Sequence, residues 1–126
     1  MFAELNNEVS FSYEIPEDAK VEFCKLGEIS QSVPLTVRSI IPNNKGKYGL
    51  QYLVFATDED GNIFGVNLPS HQNDMCAAIR KNDQMVKAIN AGKCGLKSSA
   101  PFETKNGFTS VKAVWCDIEL YLFPIP

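Results

Sequence analysis

Two kinds of side chain recur at turns and at outward strand positions of this 126-residue chain, and together they could do one chemistry. Arg38, Lys45, Lys47, Lys97, Lys105 and Lys112 are candidates to pair with phosphates. Tyr48, Phe55, Phe102 and Phe108 are candidates to stack on nucleobases, and Gln51 can bond a phosphate or a base edge. A single nucleic-acid strand is held without sequence preference in this way: cations follow the backbone while exposed rings stack bases, at about 1–3 kcal/mol per base. Lys45, Lys47 and Tyr48 put two charges and a flat ring within four residues. Each candidate also has an ordinary role. A lysine at a hairpin tip serves solubility, and Phe55 or Phe102 could cover the core or a subunit interface.

Other chemistries lack their residues. No glycine-rich phosphate loop, no nucleophile and base at useful spacing and no histidine cluster is present. His71, the only histidine, reads as a structural or solvent-facing residue beside a helix start. Cys24, Cys76, Cys94 and Cys116 form no CxxC pair, so a zinc site would need distant thiols to converge. They read as reduced thiols packed as small apolar groups. Asp58-Glu59-Asp60 lacks the regular oxygen spacing and distal Glu of a calcium loop. The expectation is a protein that is not an enzyme, with no cofactor and no metal.

Composition sets the frame. With 44% hydrophobic and 21% charged residues the chain is ordinary for a soluble domain with its own core. No apolar run approaches the roughly 20 residues that span a bilayer, and the first residues lack a basic stretch followed by an apolar one, so a cytoplasmic location and no membrane partner are expected. The net charge of −3 is unevenly spread: residues 1–30 hold seven acids and two bases, the remainder eight and ten. The acidic bias lies in the N-terminal segment, and screening over about 8 Å makes the local surface matter more than the total.

The elements that must position these residues follow from periodicity. Residues 1–30 read as an acidic extension with an alternating edge or pairing strand at Val9–Ile15 and another short strand at Val21–Leu26. Residues 31–126 read as the main domain. Its first strand is Val33–Ile41, with Val33, Leu35 and Val37 on one face and Thr36 and Arg38 on the other, broken at Pro42–Lys47. A hairpin follows, Leu50–Thr57 and Ile63–Leu68, joined by the acidic turn Asp58–Asn62. Parity sends Leu50, Tyr52, Val54 and Ala56 inward with Phe64, Val66 and Leu68, and Gln51, Leu53, Phe55 and Thr57 outward with Ile63, Gly65 and Asn67. Met75, Ile79, Val86 and Ile89 mark one helix, or two broken near Asn82, with Ser70 as cap and Gly92 as terminator. Lys93–Lys97 resumes a strand with Cys94 and Leu96 inward. An Asn106-Gly107 turn of type I′ then leads to Phe108–Ile118, with Val111, Ala113 and Trp115 inward and Phe108, Ser110 and Lys112 outward.

The order is three strands, a helix and two strands. It predicts a mainly β fold, a five-stranded oligonucleotide/oligosaccharide-binding (OB) barrel with one helical segment between strands 3 and 4 and an N-terminal β extension; strands 2 and 3 and the neighbouring loops form the usual binding face of that barrel. Fold alone does not fix the ligand.

GKYGLQYLVFATDEDGNIFGVNLP, the helical spacer ending INAGK, and the hairpin TKNGFTSVKAVWCDI together resemble the OB-fold single-stranded-DNA-binding proteins, especially the small type carried by phages of Gram-positive bacteria. The resemblance covers roughly residues 33–118. It implies binding of single-stranded DNA exposed in replication and recombination, homo-oligomers with a dimer favoured, and meetings with replication or recombination proteins, in the host cytoplasm if phage-encoded. Bacterial members usually end in an acidic tail that recruits such proteins, whereas this sequence closes with ELYLFPIP, so recruitment of that kind is not expected. Two other classes stay open: a barrel that docks a protein without binding nucleic acid, and a nuclease on a similar barrel, which would need carboxylates and a basic residue gathered around a metal.

Overall fold

Alternation over residues 50–57 and 63–67 is realised as an antiparallel pair at the centre of a sheet. The computed structural model describes residues 10–46 and 49–118. Its strands are β1 (Val21–Lys25), β2 (Leu35–Gly46), β3 (Gly49–Thr57), β4 (Ile63–Asn67), β5 (Cys94–Ser98), β6 (Phe102–Glu103), β7 (Thr109–Ser110) and β8 (Ala113–Asp117), with helices α1 (Asn73–Lys81) and α2 (Asp83–Asn90) between β4 and β5. Six strands form one sheet in the order β1-β4-β3-β2-β5-β8, and β6 pairs with β7 in a separate two-stranded arm. The fold is mainly β, as expected. Its sheet has six strands rather than five, because β1 lies parallel to β4, Val21 against Ile63 through Lys25 against Asn67. That pairing occupies the free edge of β4. Among the described residues β1 and β8 share no ladder, and the strand foreseen at Val21–Leu26 is part of the main sheet.

The core is built from Leu26, Val37, Ile40, Val54, Ala56, Val66, Leu68, Cys76, Ile89 and Leu96, with Tyr52 and Ile79 joining it and Trp115, Val111 and Ala113 packed at its margin. Parity along β2 changes sides. A bulge between Val37 and Ser39 leaves Arg38 unpaired, so Val37 faces Ala56 and Ile40 faces Val54, both inward. Val33, expected inward, is exposed because it precedes β2. The break expected at Pro42 is also absent. Pro42 sits opposite Tyr52 within β2, where the strand's far side pairs with β5 only at Leu35 and Thr36 and no ladder donor is missing. Leu50, expected inward, is the second residue of β3, lies beyond the core and is 39% exposed. Leu53, Thr57 and Ile63, expected outward, are buried by what β1 and Arg38 lay over them.

Two helices, not one, fill the spacer. Asn82 takes an extended conformation (φ −98°, ψ 107°), and its Oδ1 accepts from the Met85 N–H at 3.1 Å to cap α2. Within α1 the buried face is centred on Cys76 and Ile79, which leaves Met75 52% exposed, and α2 buries Val86 and Ile89. Ser70 opens a single 3-10 turn (Ser70–Gln72), and no side chain caps the start of α1. No helix among the described residues is long and apolar enough to cross a membrane.

Residues 10–15, within the expected pairing strand, are not in a strand. The Asn90 amide takes the place of a partner: its Oδ1 accepts from the Ser12 N–H and its Nδ2 donates to the Ser10 carbonyl, both at 2.9 Å. Val9 and the apolar segment 120–126 lie outside the described residues.

Candidate nucleic-acid interface

Strand register places an aromatic platform on the side of the sheet opposite the core. Ser39, Phe55, Gly65 and Phe23 form one row across β2, β3, β4 and β1; Ile41, Leu53, Asn67 and Lys25 form the next. Gly65 is what lets the first row exist. A Cβ there would stand 2.6 Å from Cδ1 of Phe23 and 3.5 Å from Cδ1 of Leu53, so the Phe23 ring lies directly over the Gly65 backbone. Phe23 is 62% exposed, Phe55 on the other side of Gly65 in the row is half-buried, and Leu53 in the next row is buried.

The second part of the site is the β6–β7 arm, with Phe102 opposite Ser110. Its tip is the turn Thr104–Gly107. The Gly107 N–H donates to the Thr104 carbonyl at 3.0 Å and the Thr104 N–H to the Phe108 carbonyl at 2.7 Å, with positive φ at Gly107 alone. This is a type I turn closed by a glycine bulge, not the type I′ turn expected, because Asn106 keeps a negative φ. The β3–β4 turn is built the same way, with Gly61 at φ +84° and Asp58 in the place of Thr104. The Asp58 carboxylate accepts from the N–H groups of Asp60 and Asn62 and from the Asn62 amide. Those bonds hold its carboxyl below the usual carboxylate range.

The arm is pinned at its base. The Ser99 N–H donates to the Lys112 carbonyl at 2.9 Å, and the Lys112 N–H to Ser99 Oγ at 2.8 Å. His71 Nε2 lies 3.0 Å from Ser110 Oγ, its Nδ1 lies 2.9 Å from Gln72 Nε2, and its ring meets Phe102 edge-on at 6.1 Å. Lys112 Nζ stands 5.2 Å from the centre of the Phe102 ring, an exposed cation–π pair worth about 0.5–1 kcal/mol. Phe102 therefore orients a cation, while Phe108 at the tip is 71% exposed.

Between arm and platform runs a groove of about 830 Å³, lined by Lys25, Glu28, Gln51 and Asn67 on the sheet side and by Pro101, Thr109, Ser110 and Val111 on the arm side. The structure thus brings Gln51 and Phe55 onto the sheet face, and Phe102, Lys105, Phe108 and Lys112 onto the arm beside it. Arg38 is elsewhere: its Nε donates to Thr57 Oγ1 at 3.0 Å, at the far end of β3 from Gln51. Lys97 stands on β5 opposite Val114, away from the groove. Lys47 and Tyr48 lie outside the described residues, and Lys45 is described only as part of β2. Phe23, Lys25, Asn67 and the anchoring role of His71 are not among the sequence candidates. Gly65 within a strand is the available signal, since such a glycine marks a close approach.

The thiols take no part. All four cysteines are free, and burial pushes Cys76 and Cys94 up to about 11, the latter helped by Cys116 and Asp117. Among the described residues no three His, Cys, Asp or Glu side chains gather as a metal site. An apolar groove of about 360 Å³ lies between the helices and β5–β8, lined by Met75, Met85 and Trp115 among others. Comparison with protein-family models, with curated proteins and with solved structures finds no match for the chain.

Proposed function

We propose that the chain is a single-stranded-DNA-binding protein of the OB type, in which β2, β3, β4, β5 and β8 are the five strands of a partly open barrel and β1 extends its binding face. The observation that carries this reading is the Phe23–Phe55 platform over Gly65, continuous through the groove with an arm bearing Lys105, Lys112 and Phe108. Exposed rings beside cations are what a single strand needs. β3 and β4 stand in the order of the second and third strands of such a barrel, and the arm follows in the place of its last binding loop. Bases stack on the rings and phosphates follow the lysines, with no bond made or broken. The resemblance adds action in replication and recombination, a homodimer, and a cytoplasmic site of action.

Charge reversal tests the arm. Lys105→Glu and Lys112→Glu are expected each to weaken binding of an oligo-dT strand and to lower the slope of log affinity against log salt by about 0.7 for every phosphate left unpaired. Unchanged affinity and slope in both would contradict the placement of the strand. Protein docking is the second reading, favoured by the apolar groove with Met75 and Met85 exposed at its rim.

A further inference from the structure

We propose that the groove between the sheet and the arm is a subsite for one unstacked nucleobase bearing an exocyclic amine, so that the protein prefers cytosine to thymine there. The proposal rests on the reading of the chain as a single-strand binder and adds a base preference to it. A strand passing from Phe23 and Phe55 to the arm must cross the groove, because Lys25, two residues beyond Phe23 on β1, already lines it. The volume falls within the roughly 300–1,000 Å³ typical of small-ligand sites.

The groove combines apolar walls with convergent polar groups. Pro69, Pro101 and Val111 offer flat or branched apolar surface to a ring. Gln51 and Asn67 are half-buried and come from adjacent strands, and neither side chain has a hydrogen-bond partner among the described residues. Their polar atoms keep contact with solvent, so both amides are open to a base edge. The Glu28 carboxylate accepts hydrogen bonds and repels phosphate, so it turns the base rather than the backbone inward. Lys25 at the sheet side is the matching phosphate contact. The Glu28 carboxylate can accept from the N4 amine of cytosine but finds only another acceptor, a carbonyl, at that position of thymine, while the Gln51 and Asn67 amides, donors and acceptors both, can meet the edge of either base.

Titration of fluorescein-labelled oligo-dC and oligo-dT of equal length, at one salt concentration, reads the preference. The wild-type protein is expected to bind oligo-dC at least about fivefold more tightly, the lower end of what one base-edge pairing gives. Glu28→Gln, whose amide can meet either base, is expected to bring the two affinities together, whereas Gln51→Ala with Asn67→Ala is expected to weaken both strands and leave the preference in place. Equal wild-type affinities, or a preference that survives Glu28→Gln, would overturn the subsite. Should neither strand bind, the parent reading fails, and deoxycytidine monophosphate titrated against the ¹⁵N side-chain amide resonances of Gln51 and Asn67 decides the groove alone. Shifts at both support it and unmoved resonances overturn it.

Discussion

Gly65 is the residue on which the platform turns. Phe23 occupies the space a side chain at position 65 would need, and Phe23 is itself exposed, so its ring can swing away at small cost to the fold. Gly65→Ala is therefore expected to resemble Phe23→Ala. Each should lower affinity for oligo-dT by roughly tenfold, one stacked base in the range of about 1–3 kcal/mol, with little change in the thermal midpoint. Anisotropy and a thermal melt of the same samples check both halves. A large fall in the midpoint with affinity unchanged would make Gly65 a packing glycine and nothing more.

At the scale of elements, the arm depends on an interaction far from its tip. His71 precedes α1, yet it holds Ser110 and meets Phe102, so it sets where Lys112 and Phe108 stand. His71→Ala removes a hydrogen bond worth about 1 kcal/mol and an edge-on ring pairing. Amide exchange over residues 102–110 should then speed up severalfold while exchange in β3 and β4 stays the same, and oligo-dT affinity should fall. Exchange unchanged across the arm would show that the Ser99–Lys112 pair is anchor enough. Much of this layout is legible in the sequence. Asp58–Asn62 and Thr104–Phe108 announce both hairpins, and the spacing of Met75, Ile79, Val86 and Ile89 marks the helical spacer with its break near Asn82. Turn type is not legible, because Asn106-Gly107 fits two loops and only the backbone shows that Gly107 alone has positive φ. The bulge at Arg38 is hidden too: one extra residue moves Ile40 inward and ties Arg38 to Thr57. Only half of the platform shows in the sequence. Parity points to Phe55, but its neighbour Phe23 arrives by a parallel pairing between Val21 and Ile63, and no local pattern reports a partner so distant along the chain.

The whole molecule couples its core to pH through thiols rather than through the binding face. Cys76 and Cys94, at about 11 in the folded chain against an ordinary 9.0, stay protonated where the unfolded chain has begun to ionise. The unfolded state then binds fewer protons than the folded one, so stability is full below about pH 9 and falls as pH rises toward about 11. Urea denaturation midpoints should decline over that window, and the decline should shrink in Cys76→Ala with Cys94→Ala. A flat profile in the parent protein would contradict the burial assigned to these thiols. Charge shapes function differently. Residues 1–30 carry −5 and the remainder +2, so under the proposed function the lysines of the arm act on a strand within a screening length of about 8 Å.

The most direct measurement of the central claim is fluorescence anisotropy of a labelled oligo-dT strand titrated with the protein at low and moderate salt, with the same length of duplex as control. The account predicts tight binding to the single strand alone, weakening as salt rises, because the site joins phosphate pairing to stacking on unpaired bases. No binding to the single strand at low salt would contradict it, as would equal binding to the duplex.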